Sequence, residues 1–466
     1  MWPTPADMVL LKGKPHSEWV QPEPLSVQQI DFYLGRIPEW YIEQKFLKKP
    51  GDYLLARGHN NKLRLSIKSH EPGNPAVHLP IEFCQTKQIR GDRNYYYRIE
   101  KTVWQNRSVW GLIQSYQKSS VDSLRINTKR DVRLIEPVLP CQGCRYLTTE
   151  YSFLHMQIKE KSEINIGDLV CKGEKSTIYK ATRYLTKNGL IKTVTERSII
   201  LKEMDDCTAT VLDDIFREMH IISTIRHQIG PQTVVNVEAI MVFGRPYYIA
   251  YALCKKGSLV EYLEKNTVSM DARIKRPHLE SNTNQLGLEP TAFFSEIQFF
   301  QFFYMKEILK NVAYTLHHCH KISVIHGNLR AENIFVDNDD KTAKPIYYVG
   351  GFHHAVIAKS KKVNPNELPN KRWLAPEVLT TKLLTPESDI FAFAFLMYEV
   401  LTMKVPHEII EDKNVLDYIS KNPHARPTVP STVPNWLKEL VNECWSTSPE
   451  KRPKMSNIWQ KLKDNK

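Results

Sequence analysis

The stretch VIHGNLRAENIFV, residues 324–336, combines an imidazole with two amides at close spacing. His326 lies seven residues before Asn333, and Gly327 and Asn328 follow the histidine directly. An amide oxygen can ligate a hard cation such as Mg²⁺. An asparagine amide cannot accept a proton near neutral pH, so it is no substitute for a general base. Asn328 and Asn333 thus offer amide oxygens that could bind a cation, but neither they nor His326 has a carboxylate that could take up a proton.

Two other groups of side chains have the residue types of metal ligands. Cys141 and Cys144 form a single Cys-x-x-Cys, and LHHCHK, residues 316–321, combines three histidines with a cysteine. A zinc or redox site of the first kind needs a second pair or a neighbouring βαβ pattern, and the sequence has neither. The second segment fits the end of an amphipathic helix better than a ligand set. Neither group leads us to predict a metal site.

A series of motifs between residues 164 and 463 resembles the catalytic domain of protein kinases. In chain order they are INIGDLVCKGEKSTIYKAT (164–182), RSIILKEM (197–204), FREMHII (216–222), HGNLRAEN (326–333), VGGFHHA (349–355), RWLAPEVL (372–379), SDIFAFAFLMYEVLT (388–402) and ECWSTSPEKRPKM (443–455). The segment with a tryptophan, Trp373, shortly before Ala-Pro-Glu resembles the corresponding segment of tyrosine kinases in particular. The resemblance implies a bilobal protein-kinase fold.

The residues that anchor such a fold are present. The resemblance implies a buried ion pair between Glu377 and Arg452, and it implies that the Asp389 carboxylate holds the catalytic-loop backbone. It also implies that His326 and Phe352 stack in the hydrophobic spine. These roles are structural, so they predict a folded domain whether or not it catalyses a reaction.

The positions that carry the chemistry are altered. Phosphoryl transfer needs metal ions that neutralise phosphate charge and a group that accepts the hydroxyl proton. The base position is Asn328 and the position of the metal-binding aspartate is Gly351, so both carboxylates are missing. Losing a general base typically lowers the rate by ~10²–10⁴. Asn333 is kept, but Mg²⁺ usually needs a carboxylate and is not expected to be held normally.

The nucleotide-binding strands also depart from the family pattern. The positions that the resemblance assigns to this site are Cys171, Gly173, Ser176, Ile178, Ile200, Lys202, Glu218 and Tyr251. Gly173 alone survives of the three loop glycines, and a side chain at Ser176 hinders approach to phosphate. Ile200 replaces the small residue that roofs adenine, which argues against ATP binding. The kept Lys202 and Glu218, and a His-Gly-Asn sequence that resembles Janus kinase pseudokinase domains, leave ATP binding open.

The segment FYLGRIPEWYIEQKFLKKPGDYLLARGHNN, residues 32–61, resembles the opening of a Src-homology-2 (SH2) domain. The residues that fit the family pattern are Phe32, Tyr33, Gly35, Ile37, Gly51, Tyr53, Leu54 and Leu55. SVWGLIQSYQ (108–117) matches the second helix, and VRLIEPV (132–138) matches the closing strand. The resemblance implies a central antiparallel sheet flanked by two helices.

The phosphotyrosine pocket of this domain is predicted to be degenerate. The bidentate arginine that grips phosphate falls on Ala56, and the assisting helix arginine falls on Glu39, which would repel phosphate. Arg57 comes one residue later and should point to the opposite face, unless a bulge or a shift of the alignment by one residue re-aims it. Three further side chains either form a weaker anion site or are solvated: Arg64, Lys68 and His78.

The predicted fold class is α+β, an SH2 domain followed by a bilobal kinase fold, an order similar to the Fes/Fer-type non-receptor tyrosine kinases. The predicted segments are a flexible lead (1–27), the SH2 domain (28–140), a linker (141–163) and the kinase-like domain (164–466). Within the kinase-like domain we predict an N-lobe (164–254), a C-lobe (255–466) and an insertion at about 266–292.

Charge and composition limit the classes of partner and the cellular location that we expect. A net charge of +13 over 466 residues favours acidic partners, and the dispersed cysteines favour a reducing compartment. We predict no signal peptide and no transmembrane segment, since the longest apolar run, 390–401, is too short. The predicted location is the cytoplasm, with peripheral association at the inner face of the plasma membrane left open. Nucleic acid is not an expected partner.

These features predict a tyrosine-kinase-family protein that is a catalytically impaired pseudokinase. It would act as a scaffold or allosteric partner in phosphotyrosine signalling, with an active kinase or a phosphoprotein as partner. One alternative is an active, atypical non-receptor tyrosine kinase that transfers phosphate from ATP. It would reuse Lys202, Asn333 or a carboxylate elsewhere in the chain. A second alternative is a non-catalytic nucleotide-sensing switch. Residues 353–372 contain no tyrosine, so tyrosine autophosphorylation cannot regulate that segment.

Overall fold

The computed structural model describes residues 27, 30–58, 61–70, 75–87, 93–100, 102, 105–118, 124–126, 130–132, 134–139, 163–173, 176–187, 193–266, 290–339, 342 and 344–465. The predicted lead before residue 27, the Cys141/Cys144 pair with the linker up to 162, and positions 267–289 of the predicted insertion lie outside these residues. The chain divides into two compact units. The first contains Met1–Phe216 and Val237–Tyr251, and the second contains Arg217–Asn236 and Ala252–Lys466.

The first unit begins with a sheet in the order β1-β2-β3-β4-β5-β6, with β9 also paired to β2. Its strands are β1 (Tyr33–Arg36), β2 (Asp52–Arg57), β3 (Leu63–Ile67), β4 (Val77–Lys87), β5 (Arg93–Ile99), β6 (Gln105–Asn106) and β9 (Glu136–Pro137). A separate pair is formed by β7 (Leu124–Ile126) and β8 (Arg130–Val132). The helices are α1 (Glu39–Lys45) and α2 (Val109–Lys118).

This sheet is mixed, not wholly antiparallel as the sequence suggested. The strands β1 and β9 both pair with β2 in parallel, whereas the pairs from β2 to β6 are antiparallel. The reason lies in the connection, because α1 carries the chain from β1 to β2 and returns it in the same direction. A two-residue hairpin could join only antiparallel strands.

The two faces of the sheet hold different helices. Alternate residues of β2 and β3, such as Tyr53, Leu55 and Leu65, form a core with Leu112 and Ile113 of α2. The intervening residues point to the other face, since side chains alternate along a strand. That second face is where α1 makes its contacts, described below.

A second sheet in the first unit has the order β10-β11-β12-β14-β13. Its strands are β10 (Ile164–Lys172), β11 (Ser176–Lys187), β12 (Thr193–Met204), β13 (Val237–Met241) and β14 (Tyr247–Ala252). One face is closed by a small apolar core that includes Ala181, Ile199, Leu201 and Ala239. Helix α3 (Ala209–Gln228) follows β12, and its residues up to Phe216 belong to this unit.

The second unit is mainly helical. Its helices are α4 (Leu259–Asn266), α5 (Pro290–Lys321), α6 (Pro376–Thr381), α7 (Pro386–Thr402), α8 (Val415–Lys421), α9 (Asn435–Cys444) and α10 (Met455–Asp464). Three short antiparallel pairs accompany them: β15 (Val324–Ile325) with β18 (Val356–Ile357), β16 (Ile334–Asn338) with β17 (Pro345–Val349), and β19 (Lys361–Lys362) with β20 (Leu383–Leu384).

Helix α7 forms the centre of this unit. It is apolar on nearly all sides, which is typical of a helix surrounded by protein, and its residues from Ser388 to Thr402 are buried. A reciprocal capping box between Thr385 and Ser388 fixes its start. Among the described helices, none is long and apolar enough to cross a membrane.

Candidate functional site

The backbone of the loop that contains His326 is hydrogen-bonded to a buried carboxylate on α7. Asp389 accepts hydrogen bonds from the backbone N–H groups of His326 and Gly327, each at 2.8 Å, and from His320 Nε2 at 3.1 Å. Burial alone would raise the pKa of Asp389, but the hydrogen bond from His320 and the neighbouring charges and amides leave that pKa below its usual value. The Asp389 carboxylate therefore has the anchoring role expected of it, since both of its oxygens are engaged inside the unit.

The His326 ring is held as a neutral imidazole. Its Nε2 donates to the carbonyl of Gly350 at 2.8 Å, and its Nδ1 accepts from the N–H of Asn328 at 3.1 Å. Burial lowers the pKa of His326, which agrees with one nitrogen donating and the other accepting. The ring meets Phe352 edge to face, with centroids 4.6 Å apart. His326 is thus a structural link between the loop and the segment that follows β17.

Asn328, at the base position, is only 1% exposed. Its side-chain Oδ1 is buried and has no hydrogen-bond partner among the described residues. Asn333 Nδ2 donates to the backbone carbonyl of Asn328 at 2.7 Å. The two amides therefore lie within the loop, and neither provides a basic atom.

The predicted metal position, Gly351, has no room for a side chain. Gly351 adopts φ +76°, in the left-handed region that favours glycine. A Cβ atom added there would lie 2.6 Å from Cγ and 2.7 Å from Nδ2 of Asn333. The structure thus brings together the two predicted metal positions, but Asn333 fills the space that a carboxylate at 351 would need.

At Gly327, too, a neighbouring side chain occupies the space that a larger residue would need. Its φ is +70°, and a Cβ atom would lie 2.9 Å from Cδ1 of Leu384, on β20. Leu384 is buried. A larger side chain at position 327 would have to displace Leu384.

The predicted ion pair between Glu377 and Arg452 is present and bidentate. Arg452 donates to the two carboxylate oxygens at 2.6 and 2.8 Å, and it also donates to the carbonyls of Glu387 and Ser446. The Arg452 side chain is 0% exposed. Planar two-point pairing of this kind fixes the relative orientation of the two segments that it joins.

Sequence reasoning missed Glu399, a buried carboxyl group beneath the loop. Its Oε2 accepts from the indole Nε1 of Trp373 at 2.9 Å and from the N–H of Ala331 at 3.0 Å. Burial raises the pKa of Glu399 to about 8, although both hydrogen bonds oppose the rise. The available signal was a lone acidic residue inside the apolar run 390–401, since buried carboxyl groups need hydrogen-bond partners.

The side chains of segment 316–321 take part in packing and hydrogen bonding, and the rings of His317 and His318 contact each other with centroids 4.8 Å apart. His317 stacks on Trp459 with centroids 5.6 Å apart, Cys319 is fully buried, and His320 binds Asp389. In the part of the chain that the structure describes, no group of three or more His, Cys, Asp or Glu side chains is placed to hold a metal.

The residues of the first unit that are predicted to contact a nucleotide lie on paired strands. Ile178 is opposite Lys202, and Lys180 is opposite Ile200, so these four side chains share one face of the sheet. Cys171 is opposite Ile178, and the Gly173 N–H donates to the Ser176 carbonyl at 2.9 Å. Tyr251 is opposite Val237 on β13. Glu218 belongs to the second unit, on α3, and is 3% exposed.

The predicted phosphotyrosine pocket lies on the α1 face of the first sheet. Ala56 is opposite Arg64, and Ser66 is opposite His78, so all four share that face. Arg64 forms an ion pair with Glu39. His78 Nε2 binds Glu43 at 3.1 Å, and its Nδ1 binds the Ser66 hydroxyl at 2.8 Å.

Arg57 lies on the opposite face of this sheet. It is 5% exposed and donates to the backbone carbonyl of Asn61 at 2.6 Å. Burial lowers the pKa of His78, although the neighbouring Glu43 opposes this, and the imidazole shares the pocket with the Arg64–Glu39 pair. Carboxylates of the chain itself thus engage the groups that would otherwise bind an anion.

Comparison with known proteins agrees with the geometry of the second unit and the second sheet. The family described as "Protein tyrosine and serine/threonine kinase" matches residues 164–462. Human "Tyrosine-protein kinase FRK" is 24% identical over 464 residues, covering 97% of this chain and 78% of FRK. Mouse "Tyrosine-protein kinase Srms" is 28% identical over 255 residues, covering 54% of this chain and 43% of Srms.

Serine/threonine kinases are similar as well. "Probable serine/threonine-protein kinase roco7" of Dictyostelium discoideum is 34% identical over 160 residues, which are 32% of this chain and 6% of roco7. The chain thus spans less than half of the length of Srms and of roco7. The family match covers more than half of the chain, and the anchors of the fold lie within it. This chain therefore belongs to the protein tyrosine and serine/threonine kinase family.

Proposed function

We propose that this chain is a catalytically impaired kinase that serves as a scaffold or allosteric partner in phosphotyrosine signalling. The observation that carries the proposal is the contact between Asn333 and Gly351. The missing metal carboxylate leaves no open space, because the Asn333 side chain occupies its position. A site built to bind Mg²⁺ and ATP for transfer would need that space for a ligand oxygen.

The residues of the second unit do not fit a magnesium ion held in the usual way. Neither Asn328 nor Gly351 has a carboxylate, and Asn333 Nδ2 is engaged by the carbonyl of Asn328. Electrostatic stabilisation of the transferring phosphate is usually the largest catalytic contribution. Neither of these positions offers a carboxylate to hold the cation that supplies it.

The intact anchors favour a structural role over decay of the whole domain. Asp389 still holds the loop, and Glu377 still pairs with Arg452. Burying the charges of Asp389, Glu377 and Arg452 costs folding free energy unless these groups are paired and hydrogen-bonded. A surface that must keep its shape to bind a partner would need these anchors even without catalysis.

We propose further that residues 28–140 form an SH2-like domain. The sheet has helices α1 and α2 on its two faces, as the sequence pattern of that family implies. With Ala56 in place of the gripping arginine, and Glu39 and Glu43 beside Arg64 and His78, we expect weak binding of phosphotyrosine peptides or none.

A nucleotide-sensing switch is the second candidate, and one observation favours it. Lys202 remains on the same sheet face as Ile178 and Ile200, where the family places its nucleotide. Substitution of Ile200 by Ala would relieve the bulk on that face. If nucleotide binding is the retained function, the I200A variant should bind ATP more tightly than the parent protein.

The experiment that tests the main proposal is the thermal shift of the full chain with ATP, with and without Mg²⁺. We expect that Mg²⁺ adds nothing to any shift that ATP produces. A large shift that requires Mg²⁺, and that is lost in both K202A and N333A, would overturn the proposal that this site cannot hold the metal ion, and transfer from ATP would then have to separate an active kinase from the nucleotide-sensing switch.

A further inference from the structure

Helix α1 has two opposite faces with different partners. Glu39 and Glu43 are four residues apart and lie on one face, while Tyr41 and Lys45, also four apart, lie on the other. Both faces are in contact with the rest of the first unit. A helix of seven residues is only about two turns long, so the two faces move together.

The first face supplies the carboxylates of the pocket, which we name the α1 pocket: Glu39, Glu43, Arg64, Ser66 and His78. Glu39 pairs with Arg64, and Glu43 accepts from His78, whose other nitrogen binds Ser66. The Arg64 and His78 side chains are only 20% and 10% exposed. The donors of the α1 pocket are therefore largely covered by the chain's own carboxylates.

The second face holds the amino-terminal part of α3. The Tyr41 hydroxyl and the Lys45 ammonium both bind the carboxylate of Asp213. The Tyr41 ring contacts Phe216 with centroids 5.9 Å apart, and both residues are fully buried. We name these contacts of Tyr41 and Lys45 with Asp213 and Phe216 the α1–α3 contact.

Two neighbouring contacts extend the same interface to the second sheet. Trp40 stacks on Tyr247 with an interplanar angle of 7°, and Arg36 lies 5.1 Å from the ring centre of Phe243. The α1–α3 contact is thus part of a packed interface and not an isolated ion pair. Displacing α1 would disturb all of it.

We propose that Glu39 and Glu43 are built-in occupants of a phosphate-monoester site, and that an external phosphate can replace them only at the expense of the α1–α3 contact. The inference deepens the proposed function, since it rests on the SH2-like reading of the first sheet. Arg64, Ser66 and His78 are donors suited to a phosphate oxygen once the carboxylates leave. Because the exchange requires α1 to shift, phosphate binding and the α1–α3 contact oppose each other, and this coupling is reciprocal.

The first arm of the test removes the occupants. In the full chain, E39Q/E43Q keeps the shape of both side chains but removes their charge. Calorimetry with phenyl phosphate should show affinity on the order of tenfold above the parent protein, a size typical of coupling between sites. Adding Arg64→Met to that variant should abolish the gain. Unchanged affinity in E39Q/E43Q would overturn the proposal.

The second arm loosens the α1–α3 contact and leaves the pocket residues intact. Asp213→Asn and, separately, Lys45→Met should each raise the affinity for phenyl phosphate several-fold. The control is Asp417→Asn, whose partner Lys421 lies in an exposed pair on α8. A gain in the control, or no gain in folded Asp213→Asn and Lys45→Met proteins, would overturn the coupling. Circular dichroism melting verifies that each variant is folded.

The source of the phosphate is distinguished by a second probe. Preference for phenyl phosphate over glycerol 3-phosphate supports a phosphotyrosine ligand, and equal affinity supports a general phosphate monoester. Phosphate transfer from ATP is measured in neither arm. The inference and the proposed absence of catalysis can therefore fail independently.

Discussion

Gly351 and Asn333 lie so close that a Cβ atom on Gly351 would be 2.6 Å from Cγ of Asn333. Real Cβ atoms are essentially never found at such a distance from another heavy atom. The glycine also has φ +76°, so a side chain there is strained even without the contact. Loss of the carboxylate and occupation of its space are thus two aspects of one local arrangement.

The contact predicts that restoring a side chain at this position is costly. Gly351→Ala should destabilise the protein by about 1–3 kcal/mol from backbone strain alone, with more from the overlap. Gly351→Ala combined with Asn333→Ala should lose less stability than the two single variants together, because the second change removes the overlapping atoms. Chemical denaturation of the three variants measures this.

Gly244→Ala is the matched control. A Cβ atom added at Gly244 would meet nothing within 4 Å, and this glycine has no left-handed φ, so its substitution should change stability little. If Gly351→Ala were as mild as Gly244→Ala, the filled-space account of the metal position would be wrong.

The anchor Arg452 and the predicted base position, Asn328, should lose very different amounts of stability when they are truncated. Arg452→Ala leaves the Glu377 carboxylate without its partner and should cost about 3–5 kcal/mol, enough to unfold a domain of marginal stability. Asn328→Ala removes a buried oxygen that has no partner among the described residues, so its cost should stay near or below about 1 kcal/mol. Urea denaturation monitored by fluorescence measures both.

Lys461→Ala controls for the loss of a charge as such. It breaks an ion pair with Glu443 in which both side chains are over 40% exposed, and such pairs contribute about 0–1 kcal/mol. A large loss in Asn328→Ala together with a small one in Arg452→Ala would show that the scaffold interpretation has the roles reversed.

Motif spacing made the anchors predictable. Glu377, Asp389 and Arg452 each lie within a run whose neighbours fix the alignment, so their partners follow once the family is recognised. The occupants of the altered positions were not predictable. That Asn333 fills the space at Gly351, that Leu384 covers Gly327, and that Glu39 pairs with Arg64 depend on how separate segments approach. The sequence of any single segment does not encode such an approach, and the mixed pairing of β1 and β9 with β2 is missed for the same reason.

Glu399 predicts a specific dependence of stability on pH. Its pKa is about 8 in the folded protein and 4.5 as the reference value, so between these values the folded state holds a proton that the unfolded state has released. The contribution of Glu399 to the free energy of unfolding is therefore fully present below about pH 4.5. It falls as pH rises towards 8, by up to about 1.4 kcal/mol per pH unit. Glu399→Gln, which keeps an acceptor for Trp373 and Ala331, should abolish this decline.

The comparison of Glu399→Gln with the parent protein isolates the effect. His220 and His407 both have their pKa lowered by burial to about 4, so they destabilise the folded state as pH falls below 6.5 in either protein. Their contribution cancels in the difference between the two denaturation curves. Identical pH profiles for the two proteins would rule out a proton on Glu399.

Arg57 is predicted to be a structural residue. It is buried on the α2 face and donates to Asn61, so Arg57→Ala should cost about 1.5–3 kcal/mol. Introduced into E39Q/E43Q, the same change should leave the affinity for phenyl phosphate unaltered. If calorimetry showed that binding depends on Arg57, the arginine would have taken over the role that Ala56 cannot fill.

Phosphate transfer from labelled ATP to generic tyrosine peptides, by the full chain with Mg²⁺, measures whether the kinase domain is catalytically impaired. We expect no transfer above that of K202A, because the predicted base position, Asn328, is an amide, and the predicted metal position, Gly351, has no carboxylate and is filled by Asn333. We also expect that N328D/G351D does not restore activity, since an aspartate at 351 would collide with Asn333. Robust Mg²⁺-dependent transfer by the parent chain, lost in K202A, would show that the kinase domain is catalytically active.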